Sequence, residues 1–188
     1  TDYYSGLVYI NRTEDIQRSF DILKASKAQI ACDVETYPLR PYDQHAQLLS
    51  IALSDGVNTF SYPLFHPQTP DTFVAIEFFV LFEKFASEVE LIFHNGPFDE
   101  EWLAAYMGED FLYSNKRHDS CAQAYLINDL PNRGKKLDEL TRRYLGFNIK
   151  KLSGSAVSNI SDLRQLPIES CLKYNGLDAK YTHQVFKK

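Results

Sequence analysis

The segment Ile30-Ala31-Cys32-Asp33-Val34-Glu35-Thr36 restricts the folds open to this chain more than any other. It reads as a buried strand that suddenly carries two acids. Side chains alternate across a strand, so Asp33 and Glu35 share one face and Val34 takes the other. Two carboxylates side by side on a core strand repel each other and are costly to desolvate unless a cation lies between them. Magnesium and manganese are the hard cations that carboxylate oxygens suit. The alternative is an edge strand with two solvated acids, and the rest of the chain has to decide between them.

The neighbouring pattern places this strand in a sheet. Residues 6–10 form a short strand candidate. Thr13 is expected to cap a helix running to about residue 26, with Ile16, Phe20 and Leu23 on its buried face. After the acidic strand, a loop over residues 36–46 contains Pro38 and Pro41. Residues 48–53 and 57–62 are the next strands, joined by the hairpin dipeptide Asp55-Gly56. A Phe-rich helix is expected from Pro70 to about residue 86. Residues 90–94 are a continuous apolar run, as for a strand covered on both faces. A helix over 97–106 and a strand near Phe111-Leu112 follow. Helices are then expected over 119–128, 136–145 (ended by Gly146) and 168–187, with a mobile polar loop over 148–161. The pattern predicts a single α/β domain, a mixed central β-sheet flanked by α-helices.

Two later segments add carboxylates. In His94-Asn95-Gly96-Pro97-Phe98-Asp99, Asn95 can cap the next helix, Pro97 sits where its missing N–H costs nothing, and Asp99 lies in the first turn. This is ordinary helix-start chemistry or, at the end of a buried strand, a site. In Tyr174-Asn175-Gly176-Leu177-Asp178, Tyr174 and Asp178 are four residues apart and share a helical face with apolar residues. An acid on such a face needs a partner or a metal; otherwise it is an ordinary surface acid. Gly176 weakens a helix interior by about 1 kcal/mol relative to Ala, and invites a close approach by another backbone or a substrate.

Composition sets the outer limits. With 188 residues, 44% of them hydrophobic, the chain can bury a substantial core. A net charge of -5 supplies no global field for nucleic acid, although bound metals would invert the charge of a carboxylate site locally. Cys32, Cys121 and Cys171 are dispersed and read as reduced core residues of an intracellular protein. No apolar run is long enough to span a membrane, so no membrane partner is expected. The start at Thr1 and the stop at Lys187-Lys188 suggest a piece of a longer chain.

The order Asp-x-Glu on a strand, Asn-x-x-x-Asp at a strand–helix junction and Tyr-x-x-x-Asp on a late helix resembles the DnaQ-like 3′–5′ exonucleases with four acids and a tyrosine. Within them it looks like the proofreading exonuclease domain of family A (Pol I-like) DNA polymerases, over nearly the whole chain. The segments 118–126 and 134–146 also look like that family. The resemblance implies a ribonuclease H-like fold. It implies two divalent ions, Mg²⁺ or Mn²⁺, the first held by Asp33, Glu35 and Asp178 and the second by Asp33 and Asp99. Tyr174 would orient the attacking water. Two ions about 3.5–4 Å apart can activate a water and stabilise a leaving 3′ oxygen.

The implied partners are a single-stranded DNA 3′ end and a polymerase module in the same longer chain. The implied compartment is the cytoplasm of a bacterium or phage-infected cell, or a DNA-containing organelle. Leu39 sits where the family places an apolar side chain against the terminal base, or else it tucks onto the core. Asn95 contacts the strand or orders its own motif. Phe65, Phe98 and Tyr113 are candidate stacking platforms. Arg133, Lys135, Lys136, Arg142 and Arg143 are candidates to track phosphates. His183 is expected to be structural or exposed. An RNA-trimming exonuclease of the same superfamily, or an inactive module, would carry the same scaffold.

Overall fold

Alternation along the strands explains how the molecule is layered. The structure, a computed structural model, describes residues 2–114, 116–127, 134–153 and 162–188. Six strands, β1 (Leu7–Tyr9), β2 (Ile30–Tyr37), β3 (Gln47–Ser54), β4 (Thr59–Pro63), β5 (Glu90–Phe93) and β6 (Lys116–Asp119), form one sheet in the order β1-β4-β3-β2-β5-β6. The β2–β3 and β3–β4 pairs are antiparallel, and the other pairs are parallel. This is the mixed sheet expected, with helices on its faces.

One face of the sheet is large and apolar. Cys32 and Val34 of β2, Ile51 and Leu53 of β3, and Phe60 and Tyr62 of β4 pack with α1 (Ile16–Ala25), α2 (Ala75–Glu88) and α3 (Gly96–Met107). Phe20, Phe78, Phe82 and Phe85 fill that interface with ring contacts, Phe20 stacking on Phe85 at 4.5 Å. The other face is made of small residues: Ser50, Ala52 and Ser54 on β3, and Thr59 and Ser61 on β4, all fully buried. Short side chains let the last helix, α8 (Ile168–Phe186), lie close to β2, β3 and β4. Gly176 is the closest point: a Cβ there would come within 2.6 Å of Ser61 Oγ and would overlap Leu7. The approach that Gly176 permits is therefore to the sheet.

Several boundaries differ from the sequence expectation. Thr13 does not cap α1. Its hydroxyl donates to the Thr72 carbonyl at 3.2 Å and accepts from the Val74 N–H at 2.7 Å, tying the two chain segments together. Residues 70–74 are occupied by that tie, so α2 begins at Ala75 rather than Pro70. Residues 111–114 form α4 (Phe111–Ser114), a helical turn rather than a strand. The strand comes next, as β6, whose sequence Lys-Arg-His-Asp shows no apolar alternation because, among the described residues, it is an edge strand paired with β5 alone. β6 is followed by α5 (Ser120–Ile127). The helix expected over 136–145 is a short α6 (Leu137–Leu140) widening into a π-helical turn, Thr141–Leu145, which Gly146 ends at φ +82°. The loop expected from residue 148 begins with a helical turn, α7 (Lys150–Ser153). Residues 154–161 of that loop, and Arg133, lie outside the described residues.

Candidate active site

The site forms where β2 faces α8. Asp33 and Glu35 point to the small-residue face of the sheet, opposite Ala52 and Ser50 of β3. The register shifts between Glu35 and Thr36, a bulge that re-aims the strand at its acidic end. From α8, Asp178 reaches the same space. Carboxylate oxygens of Asp33, Glu35 and Asp178 all lie within 4.8 Å of one another, a spacing that one divalent cation can bridge. Each of the three is half-buried.

Asp99 arrives from the first turn of α3 and is only 4% exposed. One of its oxygens accepts the Val34 N–H at 3.0 Å, which locks it beside the acidic strand. Tyr174, one turn before Asp178, faces Asp178 and Glu35. Their negative charge, that of Asp178 foremost, holds its phenol far above the ordinary tyrosine range. The phenol therefore keeps its proton and acts as a hydrogen-bond donor.

The electrostatics identify what is missing from the protein's own groups. Burial pushes the Asp33 carboxyl up to about 7, although a hydrogen bond from Asn175 pulls the other way. Burial also pushes Glu35 well up, and Asp33, Asp178 and Asp99 add their repulsion. Asp99 and Asp178 are pushed well up by burial and then by Asp33. Burial and mutual repulsion disfavour the charged forms of these four carboxylates, a cation among them would offset both, and the all-oxygen donor set suits Mg²⁺ or Mn²⁺. The residues present fit a divalent metal.

Asn175 and Ser50 carry a role that the sequence reading missed. Asn175 is fully buried and donates to the Asp33 carboxylate at 2.8 Å and to the Asp33 carbonyl at 3.0 Å. Ser50 in turn donates to Asn175 Oδ1 at 2.9 Å, which fixes the orientation of the amide. A polar side chain next to Gly176 in a buried helix was the available clue.

The residues expected on the substrate side are more dispersed. Leu39 projects into solvent, 75% exposed, and does not tuck onto the core. Phe98 is half-buried and packs against the main core. Asn95 is exposed, in the left-handed region at φ +66°, and its side chain caps nothing. The cap of α3 comes instead from Asp119, which accepts the N–H groups of Asn95 (3.2 Å) and Gly96 (2.8 Å). Asn95 lines a cavity of about 570 Å³ with His94, Cys121, Tyr125, Lys135 and Lys136. Lys136 and Leu137 also line the cavity of about 200 Å³ that contains Tyr174 and Asp178.

Among the other candidates, Phe65 stacks with Phe79 of α2 and with Tyr106, which lies seven residues after Asp99 on α3, and Tyr113 is 83% exposed. Lys135 is buried, with its ammonium over the Tyr125 ring. Arg143 donates to the Gly134 carbonyl, and Arg142 is exposed. His183 is buried against Gly56, a structural placement. The three cysteines are free. Among the described residues no helix is long and apolar enough to cross a membrane.

Known structures share this arrangement of elements. The catalytic core of RRP6 from Trypanosoma brucei superposes with a TM-score of 0.63 at 17% identity, covering 100% of this chain and 47% of that one. Escherichia coli RNase D, an exoribonuclease involved in structured RNA processing, gives a TM-score of 0.67 at 20% identity over 93% of this chain and 42% of that one. Brucella melitensis NrnC with bound Mg²⁺ gives 0.60 at 18% identity, covering 95% and 75%. The chain thus spans less than half the length of the RRP6 and RNase D chains. No curated protein matches the sequence. These likenesses overturn the expected partners, a single-stranded DNA 3′ end and a polymerase module. None of the three is described as part of a polymerase, and one is described as processing RNA. A family model described as 3′–5′ exonuclease matches residues 7–188, and the chain belongs to that family.

Proposed function

We propose that this protein is a two-metal 3′–5′ exonuclease that trims RNA 3′ ends and releases nucleoside 5′-monophosphates. The observation that carries the reading is the convergence of Asp33, Glu35 and Asp178 within 4.8 Å, with Asp99 locked to the same strand. Bound divalent ions supply a water of lowered pKa and a clamp on the leaving 3′ oxygen. Asp33, Glu35 and Asp178 would hold one ion, and Asp99, bonded to the same strand, would help to hold a second. Tyr174, which keeps its proton, orients the attacking water and leaves the proton transfer to other groups. Asn175 fixes the orientation of the Asp33 carboxylate that would take up the metal. Asn95, Phe98 and Leu39 stand on the substrate side, where Leu39 is free to meet a terminal base. RNA is favoured as substrate by the likeness to RNase D.

The test is digestion of matched 5′-labelled single-stranded RNA and DNA with Mg²⁺ or Mn²⁺. The expected result is stepwise shortening of RNA from the 3′ end, stopped by chelator. Shortening of DNA with RNA left intact would overturn the substrate assignment. A protein inert on both, with metal present, would be the inactive module.

A further inference from the structure

The exonuclease reading uses the acids and the tyrosine but gives no role to the two lysines beside them, Lys136 and Lys150. Lys150 opens α7 and lines the cavity of about 200 Å³ together with Asp138, Tyr174 and Asp178. Its backbone is fixed. The Lys150 N–H donates to Asn148 Oδ1 at 3.0 Å, and the preceding Ile149 is buried, 3% exposed, with its N–H on Thr141 Oγ1. Its side chain is not fixed to the same degree. It is 61% exposed, and the ammonium lies 3.3 Å from Asp138 Oδ2, whose side chain is 13% exposed. An ion pair with one long exposed arm contributes little to stability and is readily exchanged.

Resting on the exonuclease reading, we propose that Lys150 is a substrate-binding residue, which leaves Asp138 to take a non-bridging oxygen of the terminal phosphodiester. Three points favour this over a purely structural pair. The substrate brings an anion towards a cluster of acids, and a cation on a flexible stem at the rim offsets that repulsion. Of the neighbouring lysines, Lys135 has its ammonium over the Tyr125 ring, whereas Lys150 reaches the cavity of Tyr174 and Asp178 on an exposed arm. Asp138 also gives Lys150 somewhere to rest other than Asp178, so the lysine does not neutralise a metal ligand before the metal arrives. The pair is a latch: Asp138 holds the ammonium back, and the phosphate draws it in.

Kinetics of RNA shortening in Mn²⁺ at a series of salt concentrations test this with Lys150→Gln, Lys150→Arg and Asp138→Asn. Loss of one charge-assisted phosphate contact is expected to raise KM about tenfold in Lys150→Gln, with kcat within about threefold of the parent. The slope of log affinity against log salt should fall by about 0.7, the value for one contact to a single strand. Lys150→Arg should recover most of the affinity. Asp138→Asn should lower KM, because the lysine is released. An unchanged KM and salt slope in Lys150→Gln would overturn the assignment. So would equal losses of activity and melting temperature in Lys150→Gln and Asp138→Asn, the signature of a structural pair. A parent protein inert on RNA and DNA alike overturns the exonuclease reading and this assignment with it; an active parent separates the two.

Discussion

Asn175 and Asp33, 142 residues apart, are joined twice: the Asn175 amide donates to both the carboxylate and the carbonyl of Asp33. The carboxylate that would take up the metal is therefore held from α8, although it belongs to β2. Asn175→Ala removes both donors and leaves the Ser50 hydroxyl without its acceptor. Losing such an outer partner of a metal ligand weakens metal binding about 10–100-fold, and the buried hydroxyl adds about 1–3 kcal/mol of destabilisation. Calorimetric titration with Mn²⁺ measures the first, and urea unfolding the second. Unchanged Mn²⁺ affinity would sink this role for Asn175.

The raised carboxyls predict how the metal-free protein responds to pH. Asp33 ionises near 4 when unfolded and at about 7 when folded, so the native state binds the extra proton between those values. Stability contributed by this group therefore falls as pH rises from about 4 to about 7. His66, His94 and His183 are held low by burial and oppose this trend, since their folded forms bind fewer protons. The informative quantity is the difference between parent and Asp33→Asn. Asn175→Ala is not needed for it. The melting temperature of Asp33→Asn without metal should exceed the parent's at pH 8 by more than at pH 5. Mg²⁺ should raise the parent's melting temperature and leave the variant's nearly unmoved.

Gly176→Ala sets two effects against each other. Helix propensity favours Ala by about 1 kcal/mol. The new methyl would meet Ser61 Oγ at 2.6 Å and overlap Leu7 in a fully buried seam, and overpacking of this kind costs about 1–3 kcal/mol. We expect a net loss of about 1 kcal/mol in urea unfolding, with lower activity because α8 carries Tyr174, Asn175 and Asp178. Leu7→Ala in the same molecule should recover part of the loss, a coupling readable from a double-mutant cycle.

Asp119 caps two helices from one strand end. Its carboxylate accepts the N–H groups of Asn95 and Gly96 at the start of α3, and those of Cys121 (2.7 Å) and Ala122 (3.1 Å) at the start of α5. A single cap is worth about 1 kcal/mol, so Asp119→Ala should cost about 2 kcal/mol. Because α3 delivers Asp99, Mn²⁺ affinity should fall too. A full-strength site in a destabilised variant would show that Asp99 is held by Val34 alone.

Much of the site was legible before any fold was known. Asp33 and Glu35 share a face because a strand has a period of two, and Tyr174 and Asp178 share one because a helix repeats near 3.6. Asn175 was not legible, because its partner lies on another element. Thr13 was misread as a cap, because the Thr72 segment that captures its hydroxyl is distant in sequence. β6 was missed because an edge strand need not alternate.

Local periodicity determined which residues share a face and which ends bear acids. It raised the choice between a cation and solvated acids, since like charges on a buried face repel, but left that choice open. Only the tertiary structure decided how the faces meet. Small residues on β3 and β4 let α8 approach, and Gly176 removes the last obstacle. That contact distance depends on side chains from four elements at once, which no single stretch of sequence encodes. It is also what brings Asp178 into the reach of Asp33 and turns Asn175 inward to hold it.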